Sequence, residues 1–90
     1  MTTENIFRAF LEAVNEVKNT ALSPEVIEPA FHLSGDLGID SREMLEIWYE
    51  LEKKLGIQIP DFEKRDLYTI ESVVEIIKDK VESQVALGQA

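Results

Sequence analysis

Asp36-Leu37-Gly38-Ile39-Asp40-Ser41-Arg42-Glu43-Met44-Leu45-Glu46-Ile47 is the stretch on which the fold turns. Asp40 with Glu43 three residues on forms a capping box, aspartate standing in the Ser/Thr place, so a helix starts at Ser41. Beyond it Met44, Ile47, Trp48, Leu51 and Leu55 recur on one face at about 100° per residue. Gly56 stands where a glycine ends a helix. The pattern predicts a helix over 41–55 with a serine at its first position. Free N–H groups and the helix dipole favour an anion there, so a phosphate ester on Ser41 would be well held. A lone nucleophile is not expected: no Gly-x-Ser-x-Gly elbow surrounds Ser41, and the single histidine, His32, falls in a connector. Taken alone, Asp-Ser at a helix start reads as capping chemistry.

Upstream, Ile6, Phe7, Phe10, Leu11, Val14 and Val17 form one apolar face, with Arg8, Glu12, Asn15, Glu16 and Lys18 on the wet side and Thr2 or Thr3 as cap. Downstream, Ile70, Val73, Val74, Ile76, Ile77 and Val81 form the stripe of a third helix, capped by Thr69 and ending near Val81. A short fourth helix is expected around Phe62 to Asp66. Ile57-Gln58-Ile59 alternates like a strand, but Pro60 stops it. The connector from Thr20 to Ile39 is long for a compact domain, and such loops are usually functional. Ser23-Pro24-Glu25 suits a helical turn. Leu22, Val26, Ile27, Phe31, Leu33 and Leu37 are expected to pin the connector to the core. The fold class is all-α: a small four-helix bundle of three long helices and one short, with a long first loop. Residues 83–90 are expected to form a flexible C-terminal tail.

Ninety residues suffice for one domain with one modest core. Without cysteine there is no disulfide, thiolate metal site or thiol nucleophile belonging to the chain. Eighteen acidic against nine basic side chains give a net charge of −9, which argues against nucleic acid and for partners with basic docking patches. No apolar run exceeds three residues, so no membrane insertion is expected. The start Met1-Thr2-Thr3-Glu4 lacks the regions of a signal peptide, and the chain is expected to be cytoplasmic and monomeric.

On the helix over 41–55, Leu45 and Tyr49 fall off the core face, among Asp36, Asp40, Glu43, Glu46, Glu50 and Glu52. Arg42 is the only basic residue between Asp36 and Glu52. An apolar pair inside an acidic surface has the composition of a steered docking site. Any single one of those acids is explained as readily by a solvated helix face.

Asp-Leu-Gly-x-Asp-Ser opening an acidic helix resembles the signature of the acyl carrier protein family. Leu51-Glu52-Lys53-Lys54-Leu55-Gly56-Ile57-Gln58-Ile59-Pro60 is similar to the end of that family's second helix and its Ile-Pro connector, and Thr69-Ile70-Glu71-Ser72-Val73 to the start of its last helix. The three blocks lie in order and span most of the chain. The resemblance implies residues 1–82 as a carrier domain and Ser41 as the site where a phosphopantetheinyl transferase (holo-carrier synthase) attaches 4′-phosphopantetheine from coenzyme A. It places Asp40 and Asp36 beside the cofactor. Acyl groups would ride as thioesters between acyl-loading and acyl-processing enzymes of fatty-acid, polyketide or related biosynthesis, with the chain itself not an enzyme. The docking surface would comprise Arg42, Glu43, Leu45, Glu46, Tyr49 and Glu50. An acyl pocket would be lined by Met44, Trp48, Leu51, Ile59, Leu67 and Ile76, residues that core packing explains equally well.

The sequence also departs from the pattern. Arg42 follows the serine where the family usually has leucine, which implies a narrower set of partners. Trp48 and Tyr49 are bulkier than the aliphatic residues common there, and Trp48 is expected to shrink the pocket, favouring short cargo or none. The connector at Phe31-His32-Leu33-Ser34-Gly35 is about two residues longer than usual. These features suggest a specialised carrier. Peptidyl carriers usually place histidine before the modified serine, where Asp40 stands here. D-alanyl carriers use Asp-Ser, so an aminoacyl cargo stays open, as does an unmodified acidic adaptor in which Ser41 only starts a helix. No calcium loop is present, and His32 reads as a loop residue.

Overall fold

The computed structural model describes residues 2–89, with side chains described as far as Gln84. Helix α1 runs Thr3–Lys18, α2 Ser41–Leu55, a short 3-10 helix η1 Asp61–Lys64, and α3 Ile70–Gln89. Among the described residues the fold is all-helical, three long helices and one short. The short one starts at Asp61 and ends at Lys64, because Arg65 is already extended at ψ 154° and Asp66 follows in the left-handed region at φ +59°.

Each helix begins and ends where its chemistry requires. Thr2 accepts from the Asn5 N–H at 3.1 Å at the start of α1, and Asn19 closes it in the left-handed region at φ +56°. Gly56 closes α2 in the same way at φ +65°. Thr69 caps α3 by accepting from the Ser72 N–H at 3.2 Å. Helix α3 continues past Val81 to Gln89, since nothing from Glu82 to Leu87 is glycine or proline. Gln84 belongs to that extension and bonds both backbone groups of Gln58: its Oε1 accepts from the Gln58 N–H at 2.9 Å and its Nε2 donates to the carbonyl at 2.7 Å. Ile57 and Ile59 point inward around Gln58, so the alternating stretch is paired by a side-chain amide rather than a neighbouring strand. Of the tail expected at 83–90, residue 90 and the side chains from 85 on lie outside the described residues.

The core is built from the three predicted stripes. Ile6, Phe10, Leu11 and Val14 of α1, Ile47, Trp48 and Leu51 of α2, and Ile70, Val73 and Ile77 of α3 are all buried. Helix α1 packs against both α2 and α3 and is the central strut. Val17, Met44, Leu55 and Ile76 sit half-buried at the margins.

The connector 20–39 is ordered by turns and cross-links. Val26 N–H bonds the Ser23 carbonyl at 3.1 Å, so a turn forms at Ser23-Pro24-Glu25 as expected. Leu33 and Ile39 are buried, while Leu22, Ile27, Phe31 and Leu37 pack partly against the core. Val26 is a correction: at 68% exposure it pins nothing, because the turn it closes carries it outward. Two residues assigned to the wet side of α1 also serve otherwise. The Asn15 side chain brackets Leu22, accepting from its N–H at 2.8 Å and donating to its carbonyl at 3.1 Å. Lys18 reaches across to the start of α2. An isolated antiparallel bridge, His32 to Thr69, ties the connector to the segment before α3, with the Leu33 N–H on the Tyr68 carbonyl at 2.9 Å and the Ile70 N–H on the Phe31 carbonyl at 3.1 Å.

Candidate functional site

The segment ahead of α2 is held so that Ser41 emerges at a fixed point. The Asp36 carboxylate accepts from the His32 N–H at 2.6 Å, and the Gly38 and Ile39 N–H groups bond the carbonyls of Ser34 and Leu33 at 3.0 and 2.9 Å. Gly38 then turns the chain at φ +66°, a region open to glycine and strained for other residues. Lys18 pins this turn from outside: its ammonium donates to the Gly38 carbonyl at 2.9 Å and meets the Glu43 carboxylate at 3.1 Å. Asp40 and Glu43 form the capping box. The Glu43 N–H bonds Asp40 Oδ1 at 2.8 Å, and the Asp40 N–H bonds Glu43 Oε1 at 3.1 Å.

Ser41 follows as the first residue of α2, exposed. Among the described residues its hydroxyl has no hydrogen-bond partner, and the N–H groups of Ser41 and Arg42 meet no protein acceptor. The helix therefore presents a free hydroxyl and two free donors at its positive end, the arrangement that suits a phosphate ester. Arg42 is exposed, and among the described residues its guanidinium makes no ion pair, so a free cation stands next to the serine.

A cavity of about 150 Å³ opens beside Ser41, lined by Leu33, Ser34, Ile39, Asp40, Met44, Leu67 and Tyr68 as well as Ser41 itself. Of the six residues assigned to a pocket from sequence, only Met44 and Leu67 line this cavity. Trp48, Leu51 and Ile59 are sealed in the core, and Ile76 is half-buried on α3. Asp40 lines the cavity while capping α2; Asp36 does not line it and serves the His32 turn. Tyr68 was not singled out from sequence. It reaches the cavity through the His32–Thr69 bridge, a long-range contact with no local signal.

The outer face of α2 presents Leu45 at 66% and Tyr49 at 59% exposure, a ridge between two shallow grooves. One groove is lined by Val17, Leu45, Glu46, Tyr49 and Glu50, the other by Leu45, Tyr49, Glu52, Lys53, Ile57, Gln58 and Lys64. Glu46 is exposed. Glu50 pairs with Lys53 at 3.6 Å, and the Lys53 ammonium lies 5.7 Å from the centre of the Tyr49 ring. Glu43 differs from the other surface acids: it is committed to the cap and to Lys18.

Residues 8–78 match the family described as phosphopantetheine attachment site. The class is thereby defined: a small helical domain whose cofactor is 4′-phosphopantetheine. The chain is 38% identical over 76 residues to an acyl carrier protein of Renibacterium salmoninarum, covering 84% of this chain and 91% of that one. It is 36% identical over all 90 residues to the meromycolate extension acyl carrier protein of Mycobacterium tuberculosis, spanning 76% of its length. It is also 36% identical over 74 residues to an acyl carrier protein of Myxococcus xanthus, 82% of this chain and 91% of the relative. The chain belongs to the acyl carrier protein family and has an acyl carrier role. Among the described residues no helix is long and apolar enough to cross a membrane.

Proposed function

We propose that Ser41 is the residue esterified by 4′-phosphopantetheine, and that the chain is a non-catalytic cytoplasmic carrier, working as a monomer in fatty-acid, polyketide or related biosynthesis. The observation that carries this reading is the exposed, unpartnered Ser41 hydroxyl at the start of a capped helix. In the transferase complex the Ser41 oxygen would form the bond to the pantetheine-bearing phosphorus of coenzyme A as the pyrophosphate P–O bond breaks, adenosine 3′,5′-bisphosphate leaves, and the serine proton passes to a base of the transferase or to water. The free N–H groups of Ser41 and Arg42, with the positive end of α2, would hold the resulting phosphodiester charge. Asp40 and Glu43 keep that helix start folded, and Asp36 and Lys18 keep the turn before it in place. When bound, the cofactor supplies the thiol that a chain without cysteine lacks. All of these residues lie within 1–82, read as the working domain.

The docking surface in this reading is the outer face of α2: Arg42, Leu45, Glu46, Tyr49 and Glu50, with Glu43 positioning rather than contacting. Its partners are the phosphopantetheinyl transferase and the acyl-loading and acyl-processing enzymes, with basic patches facing the acids and a carboxylate facing Arg42. Incubation with coenzyme A and a permissive phosphopantetheinyl transferase tests the assignment by intact mass. The wild type should gain one phosphopantetheine and Ser41→Ala none; an unmodified acidic adaptor would gain nothing in either form.

A further inference from the structure

We propose that the seam between α1 and α3, on the side of the connector, is a second docking surface, and that it takes a short amphipathic helix of a partner protein with lysines or arginines along its margins. The inference goes beyond the carrier reading and does not need Ser41. Two adjoining grooves open there and share Thr3, Phe7 and Pro29. The first, about 560 Å³, runs on to Glu71, Val74, Glu75 and Lys78 of α3. The second, about 500 Å³, runs on to Glu4 and Arg8 of α1 and to Pro24, Glu25 and Ile27 of the connector.

The lining explains why a helix fits. Thr3 and Phe7 stand one turn apart on α1, and Glu71, Val74, Glu75 and Lys78 share one face of α3 over two turns. The seam therefore follows both helices for about 6–10 Å, as a helix laid in a groove requires. Its floor is apolar, Phe7 and Val74 with Ile27 and Pro29 beside them. The connector is fastened and does not fold into the seam: the Glu71 N–H donates to the Pro29 carbonyl at 2.8 Å, and the Ile70 N–H to the Phe31 carbonyl at 3.1 Å.

Charge selects the occupant. Glu4, Glu25, Glu71 and Glu75 line the seam against Arg8 and Lys78, and Arg8 is already tied to Glu4 at 3.3 Å. Among the described residues Glu25, Glu71 and Glu75 make no ion pair, whereas Glu12, Glu16, Glu43, Glu52 and Glu63 are each held by a lysine. Glu71 and Glu75 also repel one another at i,i+4 on α3. Untied acids around an apolar floor complement an apolar stripe with basic margins, which a second copy of a chain at −9 does not supply. No residue of α2 lines the seam, so a partner held here leaves Ser41 and the Leu45–Tyr49 ridge free for enzymes.

In the experiment the full chain, isotope-labelled for NMR, is titrated with a synthetic amphipathic helix of about 15 residues, leucines on one face and lysines at its margins. Amide shifts should gather at Phe7, Ile27, Val74 and Glu75, in Ser41→Ala as in the wild type, so failure here and failure of the Ser41 assignment stay separate. Glu71→Lys with Glu75→Lys should weaken binding about tenfold. Lys78→Glu should strengthen it about threefold, an opposite sign that damage to the fold does not produce. The same peptide with glutamates for lysines should not bind. Shifts confined to α2, no shift at about 1 mM peptide, or binding indifferent to these charges would overturn the proposal. So would a dimer of the chain alone that covers Val74.

Discussion

Gly38 shows how much of the site depends on single residues. It sits at φ +66° with open space where a Cβ would go, so Gly38→Ala meets no clash and its cost is backbone strain alone. The expected loss is about 1 kcal/mol, read as a Tm roughly 4–8 °C lower for a domain of this size. An unchanged Tm would mean that the turn does not hold the helix start. Lys18 is the second such residue. Its partners are the Gly38 carbonyl and Glu43, and its side chain is 18% exposed. Lys18→Met should cost about 1 kcal/mol, a charged hydrogen bond discounted for partial solvent access, with faster amide exchange at Gly38 and Ile39. Stability lost without faster exchange there would show that Lys18 acts through packing alone. Neither the Gly38 turn nor the part played by Lys18 is legible in the sequence: glycine at 38 only breaks helix in a long connector, and the partners of Lys18 lie in α2 and the turn before it, with nothing near it in the chain to distinguish it from a solvated lysine.

At the scale of elements, α2 has two faces with separate duties. The periodicity that turns Ile47, Trp48 and Leu51 inward leaves Leu45 and Tyr49 outside, a division readable from spacing alone. Leu45→Ala and Tyr49→Ala should each weaken binding to the phosphopantetheinyl transferase while leaving Tm within about 1–2 °C, because exposed substitutions away from buried contacts cost little. Titration calorimetry beside thermal melts separates the two effects, and a large fall in Tm would place that side chain in the fold. Helix starts were equally legible, since Asp40 with Glu43 and Thr69 with Ser72 carry their caps within three residues. The His32–Thr69 bridge, the Asn15 bracket around Leu22 and the Gln84–Gln58 pairing join distant segments. Sequence periodicity has no signal for such contacts, and that is why Tyr68 and the shape of the cavity appear only in the structure.

The whole molecule carries a charge of −9, and among the described residues six of its basic side chains are tied to carboxylates, those of Arg8, Lys18, Lys53, Lys54, Lys64 and Lys80. The field outside is therefore strongly acidic, interrupted beside Ser41 by Arg42. Binding to an enzyme with a basic patch should weaken as salt rises from about 0.05 to 0.5 M, mainly through slower association, because exposed charges are screened beyond about 8–10 Å at ordinary ionic strength. Affinity indifferent to salt would assign recognition to the Leu45–Tyr49 ridge instead. All of this serves the claim that Ser41, free at the positive end of α2, carries the cofactor. Peptide mapping by tandem mass spectrometry, after treatment with coenzyme A and a phosphopantetheinyl transferase, tests it most directly. The account expects the whole added mass on Ser41 and an unmodified but folded Ser41→Ala; modification at another residue, or none on a folded wild type, would contradict it.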